Sequence, residues 1–267
     1  MAIITLTSDF GHKDYFTSAI KGAILSEVPE AKIVDISHEI SPFNIQEAAY
    51  ILKNAYAHFP KGSIHMIGVD AEITKNKVHV ALIVDGHYFI GADTGIFSLI
   101  FPEDKLEQII VLNINQDKEN ISFPMKDVFV QAACHINRGG TLGVIGRQID
   151  SLREVKNFQP TLSADGKMLI GQVIYIDHYG NVISNIKEKL FRESTLGKSF
   201  TIQLPRRYSI ETIHRSYSMV SEGVMLCLFN SAGHLEISIN KGDANISNGA
   251  SELLGIKVKD RIGIEII

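Results

Sequence analysis

Three aspartates in the first half of the sequence each follow a short apolar run that predicts a strand: Asp9, Asp70 and Asp93. In α/β sheets, ligands bind at the carboxyl ends of strands, so polar residues in these places are the first candidates for a binding site. A carboxylate there can accept two hydrogen bonds from a vicinal diol, the usual way in which a ribose is held. Each aspartate could instead cap a helix or a turn, and both roles stay open.

Two segments of the second half combine turn residues with polar side chains. They are 177–181 (DHYGN), which lies between two predicted strands, and 230–233 (NSAG). Aspartate, asparagine and glycine are typical of hairpin turns, so neither segment alone indicates more than a turn. Their carboxylate, amide and hydroxyl groups could also bind a polar ligand.

The histidines show no metal-binding pattern. His65, His79 and His87 are spaced along predicted strands, and no HExxH motif occurs. His38 could pair with nearby carboxylates as an acid or base, or it could simply hold its loop in place. The glycines form neither GxGxxG nor a P-loop, which gives no support to a dinucleotide or NTP site. We therefore expect no metal site.

The elements that position these residues alternate between strand and helix in the first half. Apolar periodicity predicts strands at 3–8, 32–36, 63–69, 79–84, 88–91 and 109–114, and helices at 14–28, 44–58 and 127–137. Asp85-Gly86 predicts a hairpin between two of the strands. This alternation indicates an α/β domain with a mostly parallel central sheet and helices on its faces.

The second half is typical of a smaller C-terminal antiparallel β-barrel domain. Short β-branched segments separated by turn residues predict strands at 171–176, 182–186, 199–204, 224–230 and 235–239. The polar stretch before them places the boundary between 155 and 168, which gives domains at 1–157 and 168–267.

Composition restricts the class of protein. The 267 residues have 45% apolar and 21% charged side chains and a net charge of −4. The basic residues form no stripe, which argues against nucleic-acid binding, and the apolar runs are too short to span a bilayer. The N-terminus lacks signal-peptide features, so we expect a cytoplasmic protein. Cys134 and Cys227 lie far apart in apolar surroundings and are predicted to be buried thiols.

Five blocks, in order along both halves, resemble the S-adenosylmethionine (SAM) hydroxide adenosyltransferase family and the related SAM-dependent fluorinases and chlorinases. The blocks are 7–11 (TSDFG), 34–40 (VDISHEI), 91–95 (GADTG), 176–181 (IDHYGN) and 230–235 (NSAGHL). The resemblance implies an α/β domain followed by a β-barrel domain. It also implies a homotrimer in which each SAM lies between two subunits, with no cofactor beyond the substrate.

The resemblance implies substrate-binding roles for six residues. Asp9 would hold the ribose hydroxyls, and Phe43 would cover the ligand. Asn181 would read the adenine edge beside Tyr179. For the methionine end, Asp177 would pair with the ammonium group, and Ser231 would bind the carboxylate. These groups suit their tasks, since a carboxylate matches a diol or an ammonium and an amide matches a purine edge.

The implied reaction is displacement at C5′ of SAM, with methionine leaving as a neutral thioether. Catalysis then requires alignment and a desolvated nucleophile rather than an acid. In the hydroxide-using members an Asp, an Arg and a His prepare the water. Here the Asp is Asp70, Lys77 falls in the place of the arginine, and Pro124 replaces the histidine. Met125 replaces a small residue.

Two main hypotheses follow. The first is a SAM hydrolase that releases adenosine and L-methionine, with Asp70, and Lys77 or Glu72, positioning the water. The second is a SAM- or adenosine-binding protein of the same family that has lost turnover, because two residues of the water site have changed. A third interpretation is a different nucleophile or substrate. A halogenase is disfavoured, because the carboxylate of Asp70 would repel a halide and Met125 lacks a hydroxyl.

Overall fold

A computed structural model describes residues 2–114 and 122–267. The chain divides into two compact units, Met1–Lys156 and Asn157–Ile267. Within the described residues, no helix has the length and apolar character that crossing a membrane requires.

The first unit is a mixed, largely parallel α/β sheet with helices on both faces. Its strands are β1 (Ile3–Ser8), β2 (Lys32–Ser37), β3 (Ile64–Gly68), β4 (His79–Val84), β5 (His87–Ala92), β6 (Leu106–Leu112) and β7 (Gly146–Gln148). Its helices are α1 (Phe16–Glu27), α2 (Ile45–Ala55), α3 (Ile96–Ile100), α4 (Val130–Asn137) and α5 (Leu142–Ile145), with a π-helical turn at Met125–Phe129. The strand order is β2-β1-β3-β5-β4-β6-β7.

The four strands β2, β1, β3 and β5 pair in parallel, whereas β4, β6 and β7 pair antiparallel at the other side. Strands β1 and β3 are buried on both faces because helices cover both. One core layer packs Ile20 and Ile24 of α1 with α4, and the other packs Leu52 of α2 with Phe97 of α3. The sheet is thus the middle layer of three.

The helix predicted from residue 44 and the hairpin predicted at Asp85-Gly86 are both present. Helix α2 begins after Asn44, whose side chain accepts a hydrogen bond from the Glu47 amide at 3.2 Å. The β4–β5 hairpin turns at Asp85 and Gly86, whose φ values of 51° and 78° suit a tight two-residue turn. The predicted fold class of this unit is confirmed.

The second unit is a mostly antiparallel, curled half-barrel. Its strands are β8 (Thr161–Leu162), β9 (Met168–Ile176), β10 (Val182–Lys187), β11 (Phe200–Gln203), β12 (Ser209–Ile210), β13 (Ile213–His214), β14 (Met225–Phe229), β15 (His234–Ile239) and β16 (Arg261–Ile266). Its helices are α6 (Glu188–Thr195) and α7 (Ala250–Leu254). The order is β12-β11-β16-β9-β10-β15-β14-β13, with β8 on β9.

The five strands predicted for this unit correspond to β9, β10, β11, β14 and β15, and its β class is confirmed. The structure adds four strands, β8, β12, β13 and β16, of which β16 inserts between β9 and β11. It also adds the two short helices, for which the sequence analysis gives no prediction. Alternate residues of β16, such as Ile262 and Ile264, are buried in the core of this unit.

Candidate functional site

The three aspartates follow three adjacent strands at the same edge of the sheet. Strands β1, β3 and β5 are neighbours and run parallel, with Ser8 opposite Gly68 in the register of the first pair. Asp9, Asp70 and Asp93 therefore come just beyond the carboxyl ends of these strands, as the sequence predicts. Their partners differ, which separates their roles.

Asp9 is half-buried and is held by the loop that precedes α2. Its Oδ2 accepts a hydrogen bond from the Phe43 amide at 2.8 Å. Burial raises the pKa of Asp9, and the charge of Asp70 adds to this, while nearby backbone N–H groups oppose it. Phe43 itself is 74% exposed and has a φ of 63°, an uncommon conformation for an aromatic residue. A hydrogen bond thus joins Asp9, the predicted ribose-binding residue, to Phe43, the residue predicted to cover the ligand.

Asp70 forms an ion pair with Lys77. The Lys77 Nζ donates to Asp70 Oδ1 at 2.6 Å and to the Asp70 carbonyl at 2.9 Å. A small hairpin, closed by backbone hydrogen bonds between Thr74 and Lys77, returns the chain so that this contact forms. Lys77 is 9% exposed, whereas Glu72 is exposed. The residue that stands in the predicted arginine position therefore does reach Asp70.

Asp93 acts as a backbone cap. Both of its carboxylate oxygens accept a hydrogen bond from the Arg153 amide, each at 3.0 Å. Burial raises the pKa of Asp93, and the Arg153 amide opposes that effect. Of the two roles left open by the sequence, the capping role fits this aspartate.

The segment with Pro124 and Met125, which differs from the family pattern, lies beside Gly68. Pro124 precedes the π-helical turn that starts at Met125, and Met125 is fully buried. A Cβ on Gly68 would overlap the Met125 sulfur and approach the Phe10 ring to 3.2 Å. The Met125 thioether thus fills the space beside Gly68, two residues before Asp70. Neither this thioether nor Pro124 offers a strong hydrogen-bond donor.

In the second unit, Asp177 holds its own turn. Its Oδ1 accepts from the amides of Tyr179 and Asn181, and its Oδ2 accepts from the Asn181 side-chain amide, all at 2.9 Å. Asn181 is buried, and Tyr179 is 61% exposed. The structure brings these three predicted residues together, with Asp177 orienting Asn181.

Hydrogen bonds to the Asn230 side chain hold the turn that contains Ser231. The Asn230 Oδ1 accepts from the amides of Ala232 and His234, each at 3.1 Å. Its Nδ2 donates to the buried carboxylate of Glu236, which also accepts from the hydroxyls of Tyr217 and Ser238. Ser231 stays exposed at the tip. Sequence reasoning did not identify Glu236, since nothing local to it signals this network.

The two turns lie at opposite ends of β10. In the pairing with β15, Val182 is opposite Ile237 and Lys187 is opposite His234. The three-residue step from His234 to Ile237 alone spans roughly 10 Å. Asp177 and Ser231 therefore lie near opposite ends of β10.

His38, interpreted from sequence as an acid or base or as a structural residue, is buried. Its Nδ1 lies 2.7 Å from the Ser8 Oγ, and its Nε2 lies 3.2 Å from Asp35 Oδ1. Burial lowers the pKa of His38, which favours the neutral imidazole. Across residues 2–114 and 122–267, no group of three or more His, Cys, Asp or Glu side chains could hold a metal ion.

Two family models match the chain. The SAM hydroxide adenosyltransferase N-terminal domain matches residues 4–146, and the C-terminal domain of that family matches residues 171–263. The protein belongs to the SAM hydroxide adenosyltransferase family.

Similar proteins cover from 69% to 98% of this family member. The chain is 32% identical, over 275 aligned positions, to an (R)-S-adenosyl-L-methionine hydrolase of Methanocaldococcus jannaschii, covering 98% of this chain and 95% of that one. It is 24% identical to a fluorinase of Nocardia brasiliensis, covering 69% and 71%. A crystal structure of an uncharacterized conserved protein from Thermotoga maritima matches with a TM-score of 0.85 at 28% identity, covering 98% and 99%.

Proposed function

We propose that this family member hydrolyses SAM to adenosine and L-methionine, with no cofactor beyond the substrate. The observation that carries the proposal is the Asp70–Lys77 ion pair, which lies at the same sheet edge as Asp9. The hydrolase relative at 32% identity supports the same reaction.

In the proposed step, the oxygen of water attacks C5′ while the C5′–S bond breaks. The electron pair of that bond goes to sulfur, which leaves as a neutral thioether and so needs no acid. Asp70 orients the water and accepts its proton, which then passes to solvent. Lys77 donates to the Oδ1 and to the backbone carbonyl of Asp70. It therefore fixes the direction of the carboxylate and compensates its charge.

The nucleoside end has a consistent set of groups. We propose that Asp9 accepts hydrogen bonds from the ribose hydroxyls, because it is half-buried and oriented by the Phe43 amide. Phe43 would cover the ligand, since its ring is exposed at that place. Asn181 would read the adenine edge beside Tyr179.

Two turns of the second unit supply the groups proposed for the methionine end. Asp177 and Ser231 belong to turns near opposite ends of β10. We propose that Ser231 binds the carboxylate, and that Asp177 pairs with the ammonium group while it also orients Asn181, to which it is hydrogen-bonded. The exposed position of Ser231 on a fixed turn supports its role.

The assembly is also a proposal. We propose a homotrimer with each SAM between two subunits, as the resemblance implies, and a cytoplasmic location. Light scattering coupled to gel filtration would give the mass of the assembly, and a monomer that hydrolyses SAM would contradict this arrangement.

The test of the activity is direct. Purified protein incubated with SAM should release adenosine and methionine in equal amounts, measured by chromatography. Release of neither product, although SAM binds in calorimetry, would contradict hydrolysis.

A second candidate function is SAM or adenosine binding without turnover. Burial of Met125 against Gly68 and the loss of the histidine at Pro124 favour it, since a hydrogen-bond donor is replaced by apolar groups. Heat of binding with SAM but no release of adenosine would support this function over the first.

A further inference from the structure

A buried hydrogen bond joins Ser8, the residue before Asp9, to His38 in the loop that follows β2. The Ser8 Oγ and the His38 Nδ1 are 2.7 Å apart, and both residues are essentially inaccessible, at 0% and 1% exposure. Beyond the ring, the Asp35 Oδ1 lies 3.2 Å from the His38 Nε2. Lys21 in turn donates to the second oxygen of Asp35 at 2.6 Å.

Two further hydrogen bonds join the same pair of loops. The Gly11 amide donates to the His38 carbonyl at 2.8 Å, and the Phe43 amide donates to Asp9 Oδ2 at 2.8 Å. Asp9 is thus bracketed, with Ser8 anchored on one side and Gly11 on the other. The loop after β1 and the loop after β2 are fastened together around its carboxylate.

Asp9 needs such an anchor. Its carboxylate is half-buried and close to the negative charge of Asp70, and both effects favour its movement toward solvent. A carboxylate that has to meet two ribose hydroxyls must nevertheless stay within a few tenths of an ångström of one place. The anchor has to come from neighbouring residues.

We propose that Ser8 and His38 form a positioning pair that holds Asp9 in the orientation that binds the ribose diol. This rests on the proposed function, because it assumes that Asp9 binds the ribose. Ser8 and His38 are fully buried and do not touch the ligand; they act through the backbone of β1 and the loop of residues 9–11.

The chain offers a matched control on the same strand. Thr5 Oγ1 and His65 Nδ1 are also 2.7 Å apart, and both residues are 0% exposed. Thr5 precedes Asp9 by four residues, which is about 13 Å of extended strand. Loss of its hydroxyl leaves a buried histidine nitrogen without its partner just as loss of the Ser8 hydroxyl does, but away from Asp9.

The experiment compares Ser8→Ala with Thr5→Val by calorimetry, using adenosine and 2′,3′-dideoxyadenosine as probes. Ser8→Ala should weaken adenosine binding about 10- to 100-fold, the usual range for a residue that orients a ligand-binding group. It should leave the affinity for the dideoxy compound within about twofold of the parent, because that probe lacks the hydroxyls Asp9 would bind. Thr5→Val should leave both affinities near those of the parent, although its melting temperature falls.

A double variant tests whether Ser8 acts through Asp9. In an Asp9→Asn background, Ser8→Ala should cause no further loss of adenosine affinity, since the group that it positions is already altered. If Ser8→Ala does not fold, Ser8→Cys is close in size and keeps a weak donor. It should weaken the binding of adenosine by an intermediate amount and leave the binding of 2′,3′-dideoxyadenosine unchanged.

Equal weakening of both probes by Ser8→Ala, or no weakening of either, would overturn the positioning role while leaving the proposed function intact. A parent protein that binds neither SAM nor adenosine would instead overturn the proposed function, and the positioning role with it.

Discussion

Strands β3 and β5 have titratable side chains at both ends of the sheet, and the burial and partners of these side chains differ between the two ends. At the carboxyl end, Asp70 is partly exposed and pairs with Lys77. At the amino end, His65 and His87 are buried, and the His65 Nε2 lies 3.1 Å from the His87 Nδ1. Burial and the neighbouring His87 lower the pKa of His65 to about 3.

This difference shows that a strongly shifted pKa does not by itself mark a functional site. His65 stacks on Phe89 with the ring centres 4.7 Å apart, and Tyr56 packs its edge against both histidines. These histidines behave as neutral members of the core. We expect changes at the carboxyl end to alter turnover, and changes at the amino end to alter stability.

The largest expected effect is on turnover at the carboxyl end. Asp70→Asn should lower the rate of adenosine release about 10²- to 10⁴-fold, because the proton acceptor for the water is lost. Its affinity for adenosine should remain close to that of the parent. The matched control is Asp93→Asn at the same sheet edge, which should keep the rate within about threefold because Asp93 only caps the Arg153 amide. Equal rates for Asp70→Asn and the parent would remove Asp70 from the mechanism.

The second effect concerns the partner of Asp70. Lys77→Met should lower turnover about 10- to 100-fold, since the carboxylate loses the group that directs it. Lys77→Arg should retain most of the rate, because a guanidinium can keep the ion pair. Steady-state rates of both variants check this. If Lys77→Met is as active as Lys77→Arg, the ion pair has only a structural role.

The third effect is on packing at the carboxyl end. Gly68→Ala should destabilise the protein by about 1–3 kcal/mol, because the new methyl group would overlap the Met125 sulfur. Chemical denaturation measures this loss. Adding Met125→Ala should restore part of the stability, and the absence of any rescue would mean that the strain arises elsewhere.

The smallest effect concerns pH at the amino end. His65 is neutral in the fold down to about pH 3, whereas it takes up a proton near pH 6.5 when unfolded. The unfolded state binds more protons between these values, so stability falls as the pH drops below about 6.5, by up to about 1.4 kcal/mol per pH unit. Urea unfolding at pH 7 and pH 5 should show a loss of about 2 kcal/mol.

The control for this pH effect is His65→Gln, which should be less stable at pH 7 but should lose less between pH 7 and pH 5. An unchanged slope in that variant would show that other groups cause the pH dependence.

The sequence predicts the sheet edge because strand ends and apolar runs are local properties. Asp9, Asp70 and Asp93 can be placed at strand ends from the apolar runs that precede them, and the contact between Lys77 and Asp70 agrees with the position of Lys77 in the family pattern. The different partner of Asp93 could not be predicted, since Arg153 is sixty residues away and binds through its backbone.

The sequence does not predict features that depend on strand register or on contacts between residues far apart in the chain. Ser8 and His38 are thirty residues apart, and no pattern in either segment signals their hydrogen bond. The separation of Asp177 from Ser231 became visible only with the pairing of β10 and β15. Ile262, Ile264 and Ile266 give β16 a local alternating pattern, but its place between β9 and β11 depends on a distant part of the chain.

The most direct test of the account is hydrolysis of SAM in water labelled with heavy oxygen. Because the water is proposed to attack C5′, the adenosine released by the parent protein should contain the label in its 5′-hydroxyl, and the methionine should be unlabelled. Mass spectrometry of both products measures this. Adenosine without the label, or binding of SAM with no adenosine at all, would contradict the central claim.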